Sequence, residues 1–255
     1  MMEFPSLGVE GKIAVVVGAS RNIGRAITLG LANAGADVVV ASRTVPDLES
    51  VAEEIRAVGR KALVQKVDVT KAADIKAMAD AAIAEFGRID ILVNNAGINI
   101  NKSCLEMTEE DWDLVLDTNL KSYFLASQAV GRYMVEQKYG KIINISSTFG
   151  LVGFENRTAY ASSKGGVGQL TKVLAIEWGP YNVNVNAIAP TATRTTINEE
   201  LFANENWQKW MLERLPVKRF AMPIDMVGAA IFLASDAAGM VTGITLPVDG
   251  GWTAW

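Results

Sequence analysis

The sequence predicts one doubly wound α/β domain built on a seven-stranded parallel sheet, and three observations carry that prediction. Short runs of β-branched and aliphatic residues recur along the whole chain, separated by segments with helical periodicity. The runs are almost continuously apolar instead of alternating, the pattern of strands buried on both faces of a parallel sheet. A glycine-containing turn follows the first run directly and opens the first helical segment, which is the strand, turn, helix order of a βα unit.

The elements follow in order. The first strand is Ile13-Ala-Val-Val-Val17, and the helix after it places Ile23, Ala26, Ile27, Gly30, Leu31 and Ala34 on one face before Gly35 closes it. Val38-Val-Val-Ala41, Ala62-Leu-Val64 and Ile91-Leu-Val93 supply the next three strands. Ile142-Ile-Asn-Ile145, Val183-Asn-Val-Asn-Ala-Ile188 and Thr245-Leu-Pro-Val248 complete the seven. Thr108-x-x-Asp111 reads as a capping box opening a long helix, and Pro223 suits the first turn of a late one. No repeat, low-complexity tract or linker divides the chain, so residues 1–255 are expected to form a single unit. The stretch from Thr191 to about Arg214 mixes aromatic and polar residues without a strong core period, and is expected to be irregular. It overhangs the carboxyl ends of the strands, where open α/β sheets bind ligands, so it is expected to act as a lid.

Composition narrows the function classes. Of the 255 residues half are hydrophobic and a fifth charged, enough to bury a large core. The 28 acidic and 24 basic residues leave a net charge of −4 with no basic run, which argues against a nucleic-acid partner. Cys104 is the only cysteine and there is no histidine, so no disulfide framework, metal centre or Ser-His-Asp triad is expected. The first residues, Met-Met-Glu-Phe-Pro, lack a signal-peptide pattern, and the apolar stretches are too short to span a bilayer. The protein is therefore expected to be cytoplasmic with no membrane partner, a compartment inferred only from missing signals.

Four groups of residues carry chemistry. Gly18-Ala-Ser-Arg-Asn-Ile-Gly24 stands where a dinucleotide pyrophosphate meets free N–H groups at the positive end of a helix, which puts Gly18, Ser20, Arg21, Asn22, Ile23 and Gly24 at a cofactor. Asp68-Val69 after the third strand suits an adenine amino group, and Asp68 equally suits capping of the helix that begins near Lys71. Asn94-Asn95-Ala96-Gly97 ends the fourth strand, where small residues admit a cofactor and amide side chains can pin neighbouring strands. The fourth group is Ser147 at the end of a strand, then Tyr160-Ala-Ser-Ser-Lys164, with Asn119 upstream on the long helix. A Tyr and a Lys four residues apart share a helix face, so an ammonium can favour a phenolate without any histidine.

With these motifs in this order, the chain resembles the short-chain dehydrogenase/reductase family from Lys12 to Asp249. The resemblance implies a Rossmann-type domain and a catalytic tetrad of Asn119, Ser147, Tyr160 and Lys164. Tyr160 would be the general acid for carbonyl reduction and the general base for alcohol oxidation. Lys164 would hold the nicotinamide ribose and depress the pKa of Tyr160, Ser147 would hydrogen-bond the substrate oxygen, and Asn119 would hold a proton-relaying water. Two departures stand out. Val17 and Asn22 replace the usual Thr and Gly of the first turn, and Pro190-Thr191 replaces Pro-Gly after the sixth strand, while Thr195 keeps the position that resembles a carboxamide contact. Asn tolerates positive φ better than other non-glycine residues, so the turn should survive.

The second strand ends Ala41-Ser42-Arg43, where an NAD enzyme commonly carries an acid for the ribose 2′-OH. Ser42 and Arg43, with Arg21 in the glycine turn, favour NADP(H) by offering cations to a 2′-phosphate. The substrate is expected to meet Ser147, Tyr160, the loop after Gly97, the segment Phe149 to Arg157 and the overhanging stretch. Glu155, Asn156, Arg157 and Arg194 lean toward a sugar, sugar acid or polyol, although all four are equally readable as solvated loop residues. The ending Val248-Asp-Gly-Gly-Trp-Thr-Ala-Trp255 resembles that of bacterial sugar and sugar-acid dehydrogenases of the family. Reduction of a 3-oxoacyl thioester or hydrophobic ketone is the alternative. A nucleotide-binding regulator without catalysis is a third reading, against which the intact tetrad argues. Similarity to the family also implies a homotetramer, with Trp252 and Trp255 expected at an interface, while Trp207, Trp210 and Met211 are readable as packing within the lid.

Overall fold

A computed structural model describes residues 4–196 and 198–254. Seven strands, β1 (Ile13–Val17), β2 (Asp37–Ser42), β3 (Ala62–Lys66), β4 (Ile91–Asn94), β5 (Gly140–Ile145), β6 (Val183–Pro190) and β7 (Thr245–Val248), form one sheet in the order β3-β2-β1-β4-β5-β6-β7. Every pairing is parallel, as the continuous apolar runs predict. The strand order reverses between β1 and β4, so their carboxyl ends open a crevice beside one another.

The side-chain period of two divides the sheet residues between two apolar layers. Ala14 and Val16 of β1 pack with Val38 and Val40 against α1 (Asn22–Asn33), α2 (Val45–Ala57) and the late helix α9 (Val227–Ala234), through Ile27, Leu31, Leu48, Val51 and Leu233. Val15, Val17 and Leu92 face the other way, against α3 (Ala72–Phe86), α5 (Ser122–Gln137) and α6 (Thr158–Trp178), through Ile75, Met78, Val130, Met134 and Leu174. Gly35 follows α1 with φ of 105°, a left-handed conformation that stops the helix, and Pro223 opens the short turn that leads into α9.

The long helix opens as predicted and then departs from expectation. Thr108 Oγ1 accepts from Asp111 N at 3.2 Å and Asp111 Oδ2 accepts from Thr108 N at 3.3 Å, completing the capping box of α4 (Glu109–Leu116). Between α4 and α5 a π turn, Asp117–Lys121, widens the helix around Asn119.

The stretch expected to be irregular is instead largely helical, with α7 (Glu199–Phe202) and α8 (Glu205–Arg214). Asn204 caps α8 by accepting from Trp207 N at 3.0 Å. Met211, Leu215 and Phe220 bury themselves with Phe202, Trp207, Trp210 and Trp252 in a third, separate cluster. These apolar residues pack on one another and not on the sheet, which is why no core-facing period shows in the sequence. Trp252, expected at an interface, lies within this cluster with its ring centroid 5.8 Å from that of Trp210. Its companion Trp255 lies outside the described residues.

Candidate active site

The carboxyl ends of the strands surround a cavity of about 750 Å³. The turn after β1 supplies its narrowest geometry. Gly18 sits at φ of 84°, and a Cβ there would stand 2.8 Å from Ala96 N, so no larger residue fits. Asn95 Nδ2 donates to Gly18 O at 2.9 Å, tying the end of β4 to this turn. Arg21 precedes α1 in an extended conformation without any side chain capping the helix, which leaves its first N–H groups available to an anion. Asn22 adopts φ of 52°, the conformation its chemistry tolerates. It also makes a contact with no signature in the sequence: Asn22 Nδ2 donates to Thr196 Oγ1 at 2.9 Å and Asn22 Oδ1 accepts from Thr196 N at 3.3 Å.

Ser20, Arg21, Asn22, Ile23, Ser42, Arg43, Asp68, Val69, Asn95, Ala96, Gly97, Pro190 and Thr195 all line this one cavity. Gly24 does not. It is a packing glycine, whose added Cβ would meet Gly18 O at 2.0 Å. Asp68 makes a local turn, with Oδ1 accepting from Thr70 N at 3.1 Å and Thr70 Oγ1 at 2.7 Å, while its carboxylate still borders the cavity. Those two bonds hold its pKa below the usual carboxylate value. Asn94 pins neighbouring strands, donating to Asn144 Oδ1 at 2.9 Å.

Ser147, Tyr160 and Lys164 face the same cavity. Ser147 follows β5, and its hydroxyl accepts from Phe149 N at 3.1 Å. The loop is pressed against α6: Ser146 Oγ donates to Lys164 O at 3.0 Å, and a Cβ on Gly150 would come within 2.7 Å of the same carbonyl. Lys164 Nζ donates to Ile145 O at 2.7 Å and to the Tyr123 hydroxyl at 3.3 Å. With no carboxylate beside it, burial pushes the ammonium down to about 7. Burial pushes the Tyr160 phenol up, opposed by a hydrogen bond from Ser147 and the charge of Arg157. The cation expected to lower Tyr160 was Lys164. The charge that lowers Tyr160 here is that of Arg157, while Lys164 Nζ points to Ile145 O.

Asn119 is fully buried and does not line the cavity. Its Oδ1 accepts from Ile98 N at 2.8 Å, and its Nδ2 donates to Ile98 O at 2.9 Å and to Ser163 Oγ at 3.2 Å. The side chain expected to hold a water is bonded to the backbone of Ile98, in the loop that follows Gly97, and to Ser163. Tyr123, one turn beyond it, was missed as a partner of Lys164. The i, i+4 spacing from Asn119 was its only signal.

Of the four polar residues expected at the substrate, only Arg157 lines the cavity. Asn156 takes φ of 57°, and this left-handed turn leaves Glu155 and Asn156 exposed while Arg157 is buried. Arg194 stacks instead on Phe202 and Phe220, its guanidinium 5.0 and 5.5 Å from their ring centroids. Phe149, Phe154, Leu114, Trp207 and Met211 supply the remaining apolar wall.

A parallel sheet with this strand order, a backbone cradle at its switch point, and a phenol, an ammonium and a hydroxyl at one cavity define a dinucleotide-dependent oxidoreductase. The family profile described as enoyl-(acyl carrier protein) reductase matches residues 18–253, and the chain belongs to the short-chain dehydrogenase/reductase family. It is 42% identical over 254 residues to a 2-dehydro-3-deoxy-D-gluconate 5-dehydrogenase of Escherichia coli, covering 99% of this chain and 100% of that protein. It is 39% identical to a 3-oxoacyl-[acyl-carrier-protein] reductase of Thermotoga maritima, over 95% of this chain and 98% of the relative. Among solved structures, a gluconate 5-dehydrogenase from Burkholderia cenocepacia in complex with NADP and tartrate superposes with a TM-score of 0.95 at 36% identity, covering 98% of both chains.

Proposed function

We propose that the protein transfers a hydride between NADP(H) and a secondary alcohol or ketone of a sugar acid. The observation that carries this reading is one continuous cavity with Ser147, Tyr160 and Lys164 among its walls and Ser42 and Arg43, at the end of β2, among the others. The Gly18 cradle and the uncapped start of α1 fit a pyrophosphate, and Ser42, Arg43 and Arg21 fit a 2′-phosphate. Val69, Asn95, Ala96, Gly97, Pro190 and Thr195 would complete the cofactor wall. When bound, the nicotinamide accepts or supplies the hydride. Tyr160 Oη removes the alcohol proton in oxidation and returns it in reduction, while the Ser147 hydroxyl orients the reacting oxygen. Lys164 holds the ribose and passes the proton onward. Asn119 acts by fixing Ile98 and Ser163.

The sugar-acid reading draws on relatives named as acting on gluconate derivatives, including one of Gluconobacter oxydans at 39% identity. The second reading, reduction of a 3-oxoacyl thioester, is favoured by the Thermotoga relative and by the apolar wall of Phe149, Phe154, Trp207 and Met211. Nicotinamide absorbance with NADP(H) and NAD(H), across gluconate, 2-dehydro-3-deoxygluconate, threitol and an acetoacetyl thioester, separates them. Turnover of a sugar acid with NADP(H) preferred is the expected result, and selective thioester reduction would overturn it.

The segment from Thr191 to Arg214 serves as the lid in this reading, with Trp207 and Met211 contributing to the cavity wall. The subunits form a homotetramer, a reading supported by exposed Phe124 on α5 and by Val173 and Ile176 on α6, and sedimentation at the 27.4 kDa monomer mass would refute it. The cytoplasmic location belongs to the same proposal, and cell fractionation tests it. No helix among the described residues is long and apolar enough to cross a membrane.

A further inference from the structure

Arg157 is only 8% exposed, yet it takes part in no ion pair among the described residues. Its one side-chain hydrogen bond runs from Nη1 to the carbonyl of its neighbour Asn156, at 3.2 Å. A guanidinium carries five donors in a fork that matches a carboxylate, and a buried charge without a counter-ion is costly unless something supplies one. Burial accordingly pushes its pKa below the usual value.

The backbone holds this side chain where it is. Arg157 makes a parallel bridge with Lys102, follows the left-handed Asn156, and stands immediately before α6. The charges around it are otherwise committed. Lys102 is paired with Asp111, Lys164 is bonded to Ile145 and Tyr123, and Glu155, whose charge acts on Arg157, is exposed and makes no ion pair with it. Phe149, Phe154, Leu114, Trp207 and Met211, which share the cavity wall, offer it no counter-charge.

We propose that Arg157 receives a carboxylate of the substrate, so that the protein selects short hydroxy and keto acids over polyols and thioesters. This rests on the oxidoreductase reading of the same site and narrows its substrate class. Arg157 is the residue that precedes α6 and Tyr160 lies in the first turn of that helix; both line the cavity, and the Arg157 charge acts on the Tyr160 phenol. A carboxylate on the guanidinium and an oxygen on the phenol therefore belong to one small molecule, with the reacting carbon a few bonds from the acid group.

The test compares wild type, Arg157→Gln and Arg157→Lys, all loaded with NADP, on gluconate and on its neutral counterpart glucitol. Arg157→Gln is expected to raise KM for gluconate on the order of 100-fold relative to glucitol. Its thermal midpoint should stay level or rise, because an unpaired buried charge has gone, and Arg157→Lys should restore part of the affinity. Equal losses on both compounds, an unchanged KM for gluconate, or a lowered midpoint without a change in the KM ratio would each overturn the assignment. If wild type oxidises no sugar acid, thermal shifts of the NADP-loaded protein with gluconate, tartrate and 3-hydroxybutyrate replace the kinetics. Carboxylate binding that disappears in Arg157→Gln would uphold Arg157 while retiring the sugar-acid reading, and no carboxylate binding to wild type would sink the inference.

Discussion

The two ends of the cleft are built from different materials. At the cofactor end the shape comes from backbone: the positive φ of Gly18, the uncapped start of α1 and the close approach of Ala96. At the reacting end it comes from side chains, with Lys164 and Arg157 buried without counter-ions and an apolar wall lent by α8 and the loop after β5. Backbone geometry is fixed by the sheet and tolerates little change, whereas a wall made of side chains can be respecified without touching the sheet. Cofactor binding and substrate choice should therefore be separable, and mutation of one end should spare the other.

Tyr160→Phe applies that expectation with the largest effect. Removing the only phenolic hydroxyl on the cavity wall among the described residues should lower kcat by about 10²- to 10⁴-fold, the range that a positioned acid/base contributes. NADPH affinity, read by fluorescence titration, should stay within a few-fold, because the cofactor end keeps its backbone cradle. A comparable loss of NADPH binding would show that the two ends are not independent.

The same division decides what can be read from the chain without coordinates. The strands, the capping box at Thr108 and the glycine turn were legible because each leaves a local signature: apolar runs, an S/T-x-x-D/E spacing, or a position only glycine can fill. The reacting end hides its logic in single backbone angles and in contacts distant along the chain. Glu155, Asn156 and Arg157 are consecutive polar residues that look alike in sequence, and the left-handed Asn156 alone separates the exposed pair from the buried cation. Arg194 looks available until Phe220, far along the chain, is seen beneath it. The α8 segment shows no sheet-facing period because it packs into its own cluster with Trp252.

Lys164→Met tests the cost of the buried ammonium. The folded pKa is about 7 against an ordinary 10.5, so between those values the unfolded chain binds more protons than the folded one. The stability linked to this group is fully present above about 10.5 and is lost as pH falls to 7. The thermal midpoint of cofactor-free wild type, measured relative to Lys164→Met, should therefore climb from pH 7 to 10. Near pH 7 the variant should be the more stable by a few kcal/mol, roughly 5–10 °C, and inactive. A gap between the two proteins that ignores pH would mean that the ammonium is solvated in solution, and the reacting end would then carry no buried charge at Lys164 to set it apart from the cofactor end.

Asn22→Gly carries the smallest expected effect and bears on the one place where the two ends touch. Asn22 belongs to the turn between β1 and α1, and its partner Thr196 stands at the root of the segment that leads to α8. Glycine accepts the same positive φ without strain, so the substitution removes the two hydrogen bonds and little else. Exposed bonds of this kind are worth about 1 kcal/mol together, which corresponds to a few-fold faster release of NADPH in stopped-flow displacement. Thr196→Val should speed release by a similar factor, and the double variant by no more than either alone, because both act through one contact. Additive effects would instead mean that each side chain reaches the cofactor separately. Non-additivity would make Asn22, the residue that replaces the customary glycine, the means by which cofactor occupancy is felt at the segment over the substrate.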